Sequence, residues 1–155
     1  MSSNPLAPKP RSIGTRRTIS IVASLYNDEL VNSLLNSTIE ELRRIMPSIT
    51  VPVYRVPGAF EIPVCAKHLI ENNPNDAIIA LGVIIKGETD HDVFISNAVA
   101  NGLVNVSIKH DKPIIFGVLT TNNLNQALER CGGKHGDKGL DSAQSLLQII
   151  KSCNN

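Results

Sequence analysis

The chain has 155 residues, 42% of them hydrophobic and 19% charged, with a formal net charge of +1. That length suits one domain with a substantial core. The near-zero charge leaves no electrostatic footprint for nucleic acid or an anionic membrane, and no apolar run is long enough to span a bilayer. Aromatic residues make up 3% and Trp is absent, so the core must be aliphatic and any exposed aromatic becomes a candidate ligand contact. Cys65, Cys131 and Cys153 are scattered without CxxC spacing. They argue against a disulfide framework or a zinc site and fit a reducing, cytoplasmic setting. The N-terminus lacks the apolar segment of a secretory signal.

In chain order, residues 1–17 hold Pro5, Pro8 and Pro10 among basic and small residues and read as an irregular arm. Residues 18–155 read as one α/β domain. Thr18 to Ser24 is a short buried strand, and Leu25 to Asp28 is the loop after it, with Asn27 or Asp28 placed to cap the next helix. That helix carries Val31, Leu34, Leu35, Leu42 and Ile45 and ends before Pro47. Ile49 to Val56 reads as a second strand. Pro57-Gly58-Ala59-Phe60-Glu61 then turns into a helix through about Ile70. Ala77 to Ile85 is an unbroken apolar run, read as a fully buried central strand. A polar turn from Lys86 to Thr89 follows, then a helix from about Asp90 to Lys109 with Phe94, Ile95, Ala98, Val99, Gly102 and Val106 at helical spacing. Pro113 to Leu119 is the fourth strand. Thr120 to Asn123 caps a short helix ending near Arg130, a glycine-rich stretch runs from Cys131 to Gly139, and a last helix carries Leu140, Ala143, Leu147 and Ile150.

This alternation predicts a three-layer α/β/α sandwich around a four-stranded parallel sheet of flavodoxin-like order. In such folds ligands bind outside the C-terminal ends of the strands. The loops around Tyr26, Phe60, His91 and Thr120 lie there. The strand-to-helix step at Gly87-Glu88-Thr89 offers unpaired helix N–H groups to an anion. His91, flanked by Asp90 and Asp92, adds a titratable base, although a lone histidine at a helix start is more often a surface residue. Tyr26 is either a tyrosine packed on the loop edge or a stacking platform for a flat ring. Glu61 is either a first-turn acid or a carboxylate accepting hydroxyls. Arg130, Lys134 and Lys138 with their glycines are either a solvated joint or a phosphate clamp. No GxGxxG, Walker, GxSxG or metal-ligand spacing is present. Physics alone reaches an α/β small-molecule enzyme or binder with an anion site near Thr89 and His91; it does not reach the reaction.

Three stretches in register resemble the lumazine synthase (6,7-dimethyl-8-ribityllumazine synthase) family: Val56 to Pro63, Ala80 to His91, and Phe116 to Thr121 with Gln126 to Arg130. The likeness runs from about Ile19 to Ile150. It implies a step of riboflavin biosynthesis in which 5-amino-6-(D-ribitylamino)uracil condenses with 3,4-dihydroxy-2-butanone 4-phosphate, releasing phosphate and water, with no metal or organic cofactor. It implies Tyr26 and Asn27 at the pyrimidine, Ala59, Phe60 and Glu61 at the ribityl chain, and the backbone of Ile84 and Ile85 against the ring. Gly87, Glu88 and Thr89 are implied at the phosphate, and His91 in proton transfer. Phe116, Arg130 and Lys134 would come from an adjacent subunit, with Arg130 and Lys134 on the phosphate side. The resemblance further implies homo-oligomers, either free pentamers or a sixty-subunit icosahedral shell that in some members encloses riboflavin synthase. The stretch from Gly132 to Asp137 resembles the shell-forming version. Two positions depart from the family's pattern. Asp92-Val93 stands where an aromatic and then an acid are usual, which moves the acid about 100° around the helix, and Tyr26 replaces a Phe or Trp. A riboflavin synthase-like enzyme acting on lumazine, and a non-catalytic flavin-binding shell protein, remain the alternative readings.

Overall fold

A computed structural model describes residues 16–153; the proline-rich part of the expected arm, residues 1–15, lies outside them. The described chain runs β1 (Ile19–Ser24), α1 (Asp28–Ile45), β2 (Val53–Val56), α2 (Ile62–Asn72), β3 (Ala77–Ile85), α3 (His91–His110), β4 (Ile114–Thr121), α4 (Leu124–Arg130), β5 (Cys131–Gly133), β6 (Gly136–Asp137) and α5 (Lys138–Cys153). The four long strands form one sheet in the order β2-β1-β3-β4, every neighbouring pair parallel. This is the flavodoxin-like order expected from the alternation.

The period of two along each strand divides the core between the faces. Ile19, Ile21 and Ala23 of β1 and Ile79, Leu81 and Val83 of β3 pack with Leu34, Leu42, Leu146 and Leu147 from α1 and α5. Val22, Ile78, Ala80 and Ile84 face the other way, onto Ile62, Ala66, Val99 and Leu103 from α2 and α3. Because helices cover both faces, β3 is apolar throughout rather than alternating, and β1 is buried along its whole length with only Ser20 and Ser24 polar.

The observed boundaries carry several corrections. Only Val53–Val56 of the expected second strand is regular. Pro52 has no N–H to give to a ladder, although Thr50 and Pro52 still accept from the N–H groups of Ile19 and Ile21 at 3.0 and 2.9 Å. The helix after Glu61 begins as a 3₁₀ turn, Ala59–Glu61, and α2 continues to Asn72, two residues past Ile70. Arg17, assigned to the arm, already accepts from the Thr50 N–H at 3.0 Å. Asn27 stands at the N-cap of α1 but makes no side-chain capping bond, having φ 59° and an amide turned elsewhere; Asp28 instead pairs with Arg55. At α4 the cap is as expected: Asn123 accepts from the Gln126 N–H at 2.9 Å.

The glycine-rich stretch, read as a solvated joint or a phosphate clamp, is ordered. It forms a small antiparallel hairpin, β5 with β6, with Gly132 and Gly136 at φ 96° and 95°, where a Cβ is strained. Asp137 then starts α5: its Oδ1 accepts from Ser37 Oγ at 2.9 Å and from the N–H groups of Gly139 and Leu140 at 2.9 and 3.2 Å. Gly139 lets α5 touch α1, since a Cβ there would lie 2.2 Å from the Leu34 carbonyl oxygen.

Asp137→Ala removes the cap of α5 and should destabilise the chain by about 1 kcal/mol, with Asp137→Asn largely retaining stability. Urea titration checks this, and equal losses for both variants would contradict the capping role. Burial, and secondarily the Asp137 charge, push the Cys131 thiol up to about 11. Its thiolate is then roughly one part in a thousand at pH 8. Alkylation of Cys131 in the folded protein should be slow near neutrality and should accelerate up to about pH 11, as followed by mass spectrometry. A rate that levels off below pH 9 would contradict this.

Candidate active site

β3 outruns its neighbour. The β1–β3 pairing stops at Ala23 opposite Leu81, whereas β3 continues beside β4 to Ile85 opposite Thr121. Ile78 and Lys86 donate to Pro113 and Thr121 at 3.0 and 2.8 Å. Even-numbered residues of β3 therefore direct their N–H and C=O groups at β4, and odd-numbered ones at β1. Beyond Ser24 no β1 residue remains to meet them. A cleft of about 720 Å³ occupies that space, walled by the loops that follow β1, β2 and β3.

Ten of the residues singled out from the sequence line it: Tyr26, Asn27, Ala59, Phe60, Glu61, Ile84, Ile85, Gly87, Thr89 and His91. The loop after β1 is tied to the loop after β2, because the Tyr26 N–H donates to the Pro57 carbonyl at 3.1 Å. Tyr26 is 74% exposed and lines the cleft. In the second loop Glu61 Oε2 accepts from the Gly58 N–H at 3.0 Å, which holds the carboxylate at the turn and leaves its other oxygen free to accept. Phe60 beside it is exposed. Three of the five aromatic side chains thus stand at the cleft (Tyr26, Phe60 and Phe94) rather than in the aliphatic core.

The third loop leads into α3. No side chain caps this helix; the His91 N–H lies 3.4 Å from Thr89 Oγ1, at the limit of a hydrogen bond. Its first-turn N–H groups therefore face the cleft beside Gly87 and Thr89, a ready anion site. The surrounding charge opposes that use. Glu88, Asp90 and Asp92 cluster at this end, and Lys86 reaches only Asp90, at 3.9 Å. The imidazole of His91 is exposed and has no hydrogen-bond partner among the described residues. Asp92 does not orient it: Asp92 Oδ1 is shielded from solvent and lacks any partner, as the i to i+1 offset on a helix implies.

Glu88, Phe116, Arg130 and Lys134 do not line the cleft. Phe116 is on the edge strand β4 and is 39% exposed. Arg130 ends α4, where its guanidinium donates to the Gln126 carbonyl at 2.9 Å. Lys134 is at the exposed tip of the β5–β6 hairpin. The loop at Thr120, expected among the site loops, is also not part of the wall. Conversely, sequence reasoning missed Phe94 as a cleft residue and counted it only in the helical pattern. It is 72% exposed, and its place three residues after His91, on the same helix face, was the available signal. Among the described residues no three His, Cys, Asp or Glu side chains converge as a metal site, and no helix is long and apolar enough to cross a membrane.

Comparison with known proteins identifies the family of the chain. A sequence model of the family described as 6,7-dimethyl-8-ribityllumazine synthase matches residues 16–154. Proteins of that name are similar over most of their length. The one from Leuconostoc mesenteroides is 44% identical over 137 residues, covering 88% of both chains. The one from Buchnera aphidicola is 42% identical over 145 residues, covering 92% of this chain and 91% of its own. The one from Limosilactobacillus reuteri is 44% identical over 132 residues, covering 85% and 86%. With the parallel sheet, the cleft beyond its strand ends and a match across nearly all described residues in agreement, this chain belongs to the 6,7-dimethyl-8-ribityllumazine synthase family.

Proposed function

We propose that the chain catalyses the lumazine-forming step of riboflavin biosynthesis, with the cleft beyond β3 as its active site. Membership of the family carries the reaction. The observation that carries the site is the convergence of an exposed aromatic ring, a held carboxylate, a free imidazole and an uncapped helix start on one cleft. In this reading the pyrimidinedione stacks on Tyr26, with Asn27 beside it, and meets the backbone of Ile84 and Ile85. The odd-numbered Ile85 presents an N–H and a C=O to the cleft, a donor and acceptor pair suited to a planar imide. The ribityl hydroxyls lie in the turn of Ala59, Phe60 and Glu61, where the free oxygen of Glu61 accepts. The phosphate of 3,4-dihydroxy-2-butanone 4-phosphate sits at the start of α3, on Gly87, Thr89 and the backbone of Glu88, whose own carboxylate is repulsive there.

The chemistry is imine formation between the ring amine and the ketone with loss of one water, elimination of phosphate to leave an enol, tautomerisation of that enol to a methyl ketone, and attack of the ribityl-bearing nitrogen on the new ketone, which closes the second ring with loss of a second water. Each step moves protons, and His91 is the group free to carry them. Holding two reactive partners together supplies much of the rate, since effective molarities reach ~10⁵ M or more.

A single copy does not complete the phosphate site. Acids crowd the helix start, while Arg130 and Lys134 project elsewhere. This favours a homo-oligomer, a pentamer in which an adjacent copy brings Phe116, Arg130 and Lys134 to the cleft. Exposed Val104, Ile108, Leu124 and Leu128 on α3 and α4 supply apolar surface for such contacts. The short β5–β6 hairpin, without an insertion, favours further assembly into an icosahedral shell. The reading places the enzyme in the cytoplasm.

Mixing the purified protein with both substrates should form lumazine, seen by absorbance and fluorescence, well above the uncatalysed condensation. Lumazine incubated alone should not react. His91→Ala should lower kcat by ~10²–10⁴-fold and still exceed the uncatalysed rate, because positioning survives. No rise with the unmodified protein would overturn the function. A fall to background in the variant with both substrates still bound would overturn the share given to positioning.

A further inference from the structure

The resemblance assigns Asn27 to the substrate, and helix logic assigns it to capping. The structure gives its side chain to neither. Asn27 Nδ2 donates to the Val83 carbonyl at 2.8 Å; the carbonyl can only accept, which fixes the orientation of the amide. Val83 is odd-numbered and faces the β1 side of the sheet, just past the last β1–β3 pair at Ala23 and Leu81. Its carbonyl is therefore the first acceptor of β3 left without a β1 partner. Asn27 reaches it because its backbone is left-handed, at φ 59°, a conformation that Asn and Gly adopt and most other residues resist.

We propose that Asn27 is a positioning residue whose amide extends the β1 side of the sheet by one bond and so sets Tyr26 at a fixed distance from the backbone of Ile85. This deepens the reading of the cleft given above and rests on it. Tyr26 is held on one side by its N–H on Pro57, which ties it to the end of β2. The Asn27–Val83 bond ties the next residue to β3. The platform is thus pinned across two strands, and Ile85 becomes the first free donor and acceptor on its edge of the sheet. The part of the reaction this governs is recognition of the flat ring, not of the phosphate.

The test is a double-mutant cycle on the full-length assembled protein. Asn27→Gly keeps the left-handed backbone but deletes the amide. Asn27→Asp keeps the shape and sets a carboxylate against the Val83 carbonyl. Each is made with and without Tyr26→Ala. The readouts are the Kd of 6,7-dimethyl-8-ribityllumazine by fluorescence titration, KM for each substrate, and Tm. Asn27→Gly should raise the lumazine Kd and the KM for the ring-bearing substrate about tenfold, leaving the KM for the phosphate-bearing substrate within about twofold. Asn27→Asp should do at least as much. In the Tyr26→Ala background the same changes should cost less than about twofold, since the two residues act as one unit. Additive effects, a parallel rise in both KM values, or a fall in Tm with no KM split would overturn the proposal. Absence of condensation in the unmodified protein would instead overturn the function, and the lumazine titrations would still decide the role of Asn27.

Discussion

The site depends on an inequality of strand length. β3 is nine residues long and β1 is six, and their pairing ends while β3 still has four residues to run beside β4. An apolar, doubly covered β3 tolerates that extension because its faces remain buried on both sides. What it exposes is an edge: backbone polar groups that need partners next to a space that no strand fills. The loop after β1 fills part of it with Asn27, and the rest is the cleft. Had β1 continued for two more residues, its ladder would close the opening, and neither Tyr26 nor the backbone of Ile85 would face a cleft.

Electrostatics at the start of α3 work against the backbone there. The uncapped N–H groups and the helix dipole attract an anion, yet Glu88, Asp90 and Asp92 repel one, and Lys86 is the only described cation in contact with any of them. A site tuned within one chain for a phosphate would not be built so. It makes sense if strong cations arrive from outside. Arg130 at the end of α4 and Lys134 at the hairpin tip, both away from their own cleft, are suited to serve another copy.

Much of this was legible in the sequence where one physical signal dominated. The run from Ala77 to Ile85 could only be a strand buried on both faces, and its bounds agree with β3 residue for residue. Gly87 and Thr89, expected at a strand-to-helix step, stand at the cleft, and ten of the expected residues line it. What was not legible needed the third dimension. Asn27 read as a cap because Asn before a helix usually is one, and only the stagger of β1 against β3 gives its amide a better acceptor. Pro52 shortened β2 in a way its neighbours hid. The glycines after Cys131 read as flexibility because composition does not reveal that Asp137 gathers Ser37, Gly139 and Leu140. Phe94 was taken with the helical pattern, although it stands in the first turn of a helix that starts at the cleft.

The most direct test of the account is complementation between copies. Its central claim is that His91 and Arg130 serve one reaction from different chains. His91→Ala and Arg130→Ala should be co-expressed in equal amounts with distinct tags, and the mixed assemblies purified through both. If the residues meet between neighbours around a closed ring, roughly a quarter of the sites regain both. The mixture should then condense the two substrates faster than the average of its two parents, approaching a quarter of the unmodified rate. A rate equal to that average, in assemblies shown to contain both tags, would mean that each chain uses only its own residues and would contradict the account.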